Sequence, residues 1–400
     1  EALMWYKKAA QKQNVAAIQK AANMYYYGKG TEKDETEAAR WYAQAATLGN
    51  SRSQYVLGWL YEHGSGVEQD IDKALHWYEQ AADNDNTEAL FAMACLYQNG
   101  VAGIPKNEEL AETYYLKAAA LGHLNSQIQL GAKYAYGNGV EKSKDNALYW
   151  LEKAAEQGSN LALTNLASIY LMGDLVEKDG EKAKYYIEKP LQEDYPPAML
   201  NNALMYAQGI GYEKDEKKAF QLIKELAAMD NARAIYQLAL YYENGVGTPK
   251  NNEKAISYFE EAAALGNPVA YINISRIYET QQSMEMAKIY LKKGIDNGVE
   301  DAKHLYGRLY YEGKSVTQSY AEALRWNDNS NCVGGKFDFA LQHYHGKGIA
   351  PDTEKAVTLV QEIIDTNEGF VKELYTNVSK GGEIQVLYPN YAAYALTFLT

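Results

Sequence analysis

One alanine, repeated down the chain, limits what this sequence can fold into more than any other feature. It stands at Ala2, Ala38, Ala74, Ala111, Ala147, Ala183, Ala219, Ala255, Ala287, Ala323 and Ala356, at successive spacings of 36, 36, 37, 36, 36, 36, 36, 32, 36 and 33 residues. Three and four residues after it come bulky, mostly aromatic groups, as in Trp41 and Tyr42 after Ala38 or Trp77 and Tyr78 after Ala74. Small and bulky residues at i, i+3 and i+4 mark one face of a helix. A period near 36 is too short for a self-sufficient domain and suits a stack of two-helix units.

The rest of each unit follows from its punctuation. Four residues before ten of the alanines stand Asp34, Asp70, Asn107, Ser143, Asp179, Asp215, Asn251, Ser283, Ser319 and Asp352. All are N-capping residues whose side-chain oxygens can accept from free first-turn N–H groups, so they predict the start of a helix B. About ten residues before most alanines is a glycine: Gly28, Gly64, Gly100, Gly137, Gly173, Gly209, Gly245, Gly313 and Gly346. Glycine enters the left-handed C′ conformation cheaply and is expected to end a preceding helix A. A tyrosine sits three residues before nearly every one of these, from Tyr25 and Tyr61 to Tyr242 and Tyr310. The expected fold is all-α: a right-handed superhelical solenoid of about ten stacked antiparallel helix pairs. Residues 1–13 read as the second helix of a truncated repeat, 14–365 as about ten repeats, and 366–400 as a degenerate C-terminal repeat or cap. The chain starts inside a repeat and ends in an apolar run, so both ends look cut and a signal peptide or anchor is expected to be missing from the sequence. Three further expectations concern details. Trp41, Trp77 and Trp150 should be largely buried between hairpins. Pro190, inside a helix B, should kink it or end it early. Regularity should suffer from about residue 280, where four residues are lost before Ala287 and three between Ala323 and Gly346.

The repeats resemble the Sel-one-like repeat (SLR) family, a branch of the tetratricopeptide-like solenoids, over essentially the whole chain. The segments that carry the likeness include YVLGWLYEHGSGVEQDIDKALHWYEQAA (55–82) and QLGAKYAYGNGVEKSKDNALYWLEKAAEQG (129–158). The resemblance implies a non-enzymatic scaffold or adaptor for a protein or peptide, with helix A on the concave wall. It also implies a bacterial envelope, periplasmic or secreted setting, or a subunit of a eukaryotic membrane quality-control complex. Two alternatives accompany it: an immunity protein that neutralises a secreted toxin, and an enzyme acting on peptidoglycan or β-lactams.

Chemistry-bearing motifs are scarce. The net charge of −13, with 52 acidic against 39 basic residues, argues against a nucleic-acid partner. No apolar run is long enough to cross a membrane. GKGT (28–31) has two residues of a phosphate loop, but it is the connection found in every repeat. His343 and His345 are two apart and point in different directions on a helix. Cys95 and Cys332 lack ligand spacing. No catalytic residue, cofactor or metal is therefore expected, and the chain is expected to be a monomer or weak homo-oligomer. The anomaly is tyrosine, at 36 residues, about half of them without a packing slot. Positions one, two, five and nine before the loop glycine should face the groove. The candidate partner-binding residues there are Tyr26, Tyr27, Trp59, His63, Gln98, Asn99, Tyr136, Leu171, Met172 and Leu204, in the repeats whose spacing is nearly unbroken.

Overall fold

The computed structural model describes residues 1–366 except 102 and 331; the degenerate repeat expected at 366–400 lies almost wholly outside the described residues. The chain folds as two compact units, 1–214 and 215 onward. The first opens with α1 (Ala2–Ala10), then alternates A helices α2 (Val15–Tyr27), α4 (Ser51–His63), α6 (Thr87–Asn99), α8 (Leu124–Tyr136), α10 (Asn160–Met172) and α12 (Pro196–Gln208) with B helices α3 (Glu35–Thr47), α5 (Ile71–Ala82), α7 (Glu108–Ala120), α9 (Lys144–Glu156) and α11 (Gly180–Gln192). The second comprises α13 (Glu216–Ala227), A helices α14 (Ala232–Asn244), α16 (Ala270–Thr280), α18 (Glu300–Glu312) and α20 (Val333–His345), and B helices α15 (Asn252–Ala264), α17 (Met284–Asp296), α19 (Tyr320–Asp328) and α21 (Thr353–Thr366). Among the described residues the only extended pairing is a single bridge, Val101 to Ile104.

Each of the ten capping residues precedes a helix B, and nine accept a first-turn N–H through the side chain, as Asp70 does from Lys73 at 2.9 Å and Asp352 from Lys355 at 2.9 Å. Ser283 is the exception: its backbone departs from the extended cap geometry (φ −95, ψ 68) and its hydroxyl caps nothing. That is where four residues are missing, so the shortened connection overrides the cap. The later three-residue loss falls on the helix: α19 has 9 residues against the usual 13, and the connection after it is one residue longer than that between α3 and α4. Pro190 does not end α11 early; the helix runs its full 13 residues to Gln192. Pro190 lies in the last turn, and its ring is buried in the stack.

The tyrosine before the loop glycine closes the hairpin, in some repeats twice over. Its carbonyl accepts the N–H of the capping residue, as in Asp70 to Tyr61 at 2.9 Å and Asn251 to Tyr242 at 2.8 Å. In three repeats its ring also stacks on the residue three after the repeat alanine: Tyr97 on Tyr114, Tyr170 on Tyr186 and Tyr242 on Tyr258, with interplanar angles of 9°, 12° and 7°. Lys182 and Lys254, immediately before that alanine, lay their ammonium groups over the tyrosine rings at 4.8 and 5.1 Å. Trp41, Trp77 and Trp150 are half-buried rather than largely buried. The i+4 residues Tyr42, Tyr78 and Leu151 take the enclosed position, at 2%, 0% and 1% exposure.

Candidate A-helix wall and its clefts

The site is built on the A helices of the first unit. α8, α10 and α12 approach one another directly at their backbones, and no two B helices of that unit do so to a comparable extent. The A row is the tighter side of the stack there. Asn201 of α12 ties it to α10, donating to the Thr164 carbonyl at 3.2 Å and the Ser168 hydroxyl at 2.9 Å.

The residue one before each loop glycine is exposed in every repeat of this unit: Tyr27, His63, Asn99, Tyr136, Met172 and Gln208. The register explains it. This is the last helical residue, two past the tyrosine that packs against helix B and so about 200° round the helix from it. Tyr27, Tyr136 and Met172 keep 63%, 47% and 50% of their surface in water. Tyr26, Trp59, Gln98 and Leu204 are half-buried. Leu171 is 5% exposed and belongs to the core with Ala167, Ala183 and Met205; stacking accounts for its apolar character.

The structure brings seven of the ten sequence-derived candidates together in two places and leaves Gln98, Asn99 and Tyr136 strung between. At one end, Tyr26 meets Tyr27 edge-on at 5.0 Å and Trp59 at 6.4 Å, and Trp59 stacks on His63 at 4.2 Å. This aromatic run crosses from α2 to α4. At the other, Leu171, Met172 and Leu204 line a cleft of about 320 Å³ with Ser168, Asn201, Gln208, Asp174 and Lys178. α10 and α12 carry no ionisable acid or base apart from tyrosine.

A second cleft, of about 500 Å³, lies beside His63 and is lined by Glu62, Gln69, Ile71, Leu96 and Val101. Only His63 of that set was a candidate. The Glu62 carboxylate accepts from the Tyr78 hydroxyl at 2.5 Å, and the Tyr78 phenol is pushed far above its usual pKa, first by burial and then by that bond. Gln69 donates to the Glu62 carbonyl at 2.8 Å. Further along the wall Lys133, 5% exposed, pairs with Glu108 at 3.1 Å. Lys106 and then Lys133 hold the Glu108 carboxyl below the usual range. Cys95 is 3.4 Å from the Tyr115 hydroxyl, and burial raises its thiol pKa, which keeps it a poor nucleophile. Among the described residues no three His, Cys, Asp or Glu side chains form a group suited to a metal ion. His343 is buried and His345 exposed, on different faces of α20. No described helix is long and apolar enough to cross a membrane.

Paired helices, tyrosine-closed loops and a wall of A helices define a helical-repeat solenoid of the scaffold class. The Sel1 repeat model matches ten segments, 1–14, 15–50, 51–86, 87–123, 124–159, 160–189, 196–231, 232–267, 300–326 and 341–362, and the chain belongs to that family. A Sel1 repeat protein from Oxalobacter formigenes is 30% identical, covering 69% of this chain and 79% of its own, at a TM-score of 0.51. A protective antigen of uropathogenic Escherichia coli with an SLR fold is 24% identical over 99% of this chain and 86% of its own, at 0.59. Yeast Tom70 shares the fold at 15% identity and 0.51, covering 96% of this chain and 99% of its own. A search of curated proteins gave no match.

Proposed function

We propose that this chain is a non-enzymatic scaffold that grips a segment of a protein partner along the A-helix wall of its first unit. The scaffold class comes with the family and fold; the wall is inferred from one observation. Position after position, the last residue of helix A is exposed, and Tyr27, Tyr136 and Met172 place large apolar groups there although no stacking contact requires them. Exposed aromatic and methionine side chains in register along one face offer contact area at low entropic cost. Trp59 and Tyr26 supply the half-buried anchors, the kind of residue whose truncation costs ~2 kcal/mol or more at an interface.

Site-directed photocrosslinking tests this. A benzophenone amino acid replacing Tyr27, Tyr136 or Met172 in the source cell should give a discrete covalent adduct with one partner. The same group at Tyr185, on α11 and 72% exposed, should not. Adducts from position 185 alone would place the partner on the B-helix face and refute the proposal.

A further inference from the structure

Glu62 stands out when the repeats are superposed by sequence. Glu243 occupies the same position, two before the loop glycine, and pairs with Arg276 of the next A helix at 3.1 Å. Next to Glu62, the position equivalent to Arg276 is Cys95. The loop offers no substitute. Five of the six loops of the first unit carry a lysine five or six residues after the glycine: Lys33, Lys106, Lys142, Lys178 and Lys214. The sixth carries Gln69. Nearby cations are engaged elsewhere, Lys73 with Asp70 at 2.9 Å and Lys133 with Glu108 at 3.1 Å. Among the described residues no lysine, arginine or histidine lies within ion-pair distance of Glu62, whose one side-chain partner is the neutral Tyr78 hydroxyl.

The surroundings are shaped for a cation as well as lacking one. α2, α6, α10 and α12 have no basic residue in the last turn and α4 has only His63, so the negative ends of these helices meet few basic side chains; at α4 the uncharged Gln69 amide donates to the Glu62 carbonyl. Trp59 and His63 stack beside the cleft, and Lys29 over Tyr27 at 5.5 Å shows the same wall holding an ammonium against a ring. The loop after α6 is one residue longer than its neighbours, and its bridge from Val101 to Ile104 brings Val101 to the cleft's edge.

On the reading that the A wall binds a partner segment, we infer that the Glu62 cleft receives a lysine or arginine side chain of that segment. Its charged head meets the Glu62 carboxylate and its methylene stem lies against Leu96, Ile71 and Val101. The partner thereby supplies the cation that Arg276 supplies to Glu243 within the chain.

A random-peptide phage library selected on the intact chain tests this without knowledge of the natural partner. Selected peptides should share a lysine or arginine, and changing that residue to methionine should weaken binding to the wild type at least about tenfold. Glu62→Gln, which keeps an acceptor for Tyr78, should cost the parent peptide a similar factor and leave little further loss for the methionine peptide; circular dichroism confirms the fold. Binding should also weaken with salt. The inference is overturned if the methionine change costs the same on Glu62→Gln as on the wild type. It is also overturned if peptides without a basic residue bind and are lost on Tyr27→Ala with Tyr136→Ala; the wall then stands and the cation site does not. Peptides indifferent to every A-wall change would overturn both.

Discussion

The second glycine found in most of the A–B loops is open to a sharp test at Gly66. Its φ is +71°, and an added Cβ would lie 2.2 Å from the Glu35 carbonyl oxygen and 2.4 Å from its carbon, at the start of α3 in the preceding repeat. Gly66→Ala therefore meets two costs. Left-handed backbone with a Cβ costs ~1–2 kcal/mol. Moving the loop off the first turn of α3 adds ~1–3 kcal/mol, as overpacking does, and pulls Ser65 from the Glu35 carboxylate, to which it donates at 2.7 Å. Gly49→Ala isolates the first cost: φ there is +83°, with nothing within 4 Å of the new Cβ. Gly66→Ala should thus lose about 2–5 kcal/mol in all and exceed Gly49→Ala by ~1–3 kcal/mol. Solenoid stability is a sum over nearest neighbours, so the readout is amide hydrogen exchange together with denaturant unfolding. Protection should fall in α3 and α4 for Gly66→Ala. Equal losses for the two variants would refute the idea that the loop is seated on the preceding helix.

Three further outcomes are expected. Asn107→Ala removes a side-chain cap at 3.0 Å and should cost ~1 kcal/mol, whereas Ser283→Ala, with no cap bond to lose, should change the unfolding midpoint little. Burial, then Arg308, holds His304 down at about 4 from 6.5. The unfolded chain then binds the extra proton first, so the second unit should lose stability as pH falls from 6.5 towards 4, by ~3 kcal/mol at 1.36 kcal/mol per pKa unit; His304→Gln should flatten that slope in acid titrations of hydrogen exchange. Arg276→Ala breaks an ion pair whose arginine is 49% exposed, and a thermal melt should register less than ~1 kcal/mol.

The sequence made the helices legible because caps and terminators are local: Asp34 or Gly28 sets a boundary through bonds to its own neighbours. Loop length mattered more than cap identity only at Ser283, where too few residues connect the helices for an extended cap. Burial was less legible. The i+3 and i+4 residues share one helix face, and which of them is sealed depends on the adjoining hairpin, so Trp77 read like Tyr78. Leu171 looked like a groove residue for the same reason, since a slot count does not show how closely α10 meets α12. Exposure of the last helical residue was predictable, because it follows from helical phase alone. Glu62 was visible in its slot; what identified it was the comparison with Glu243 and Arg276, which requires knowing that successive A helices touch.

The exposed last residue of each A helix has a consequence for how such a chain can diverge. Tyr27, His63, Asn99, Tyr136, Met172 and Gln208 differ from one another in size, polarity and hydrogen bonding, yet the hairpins beneath them close by the same tyrosine and the same capping bond. Identity at these six places is not tied to the integrity of the repeat. Each can be exchanged singly with little effect on folding, so a lineage can rewrite what its wall accepts one letter at a time. A protein that mixes recognition into its core cannot, because every change of taste is also a change of packing.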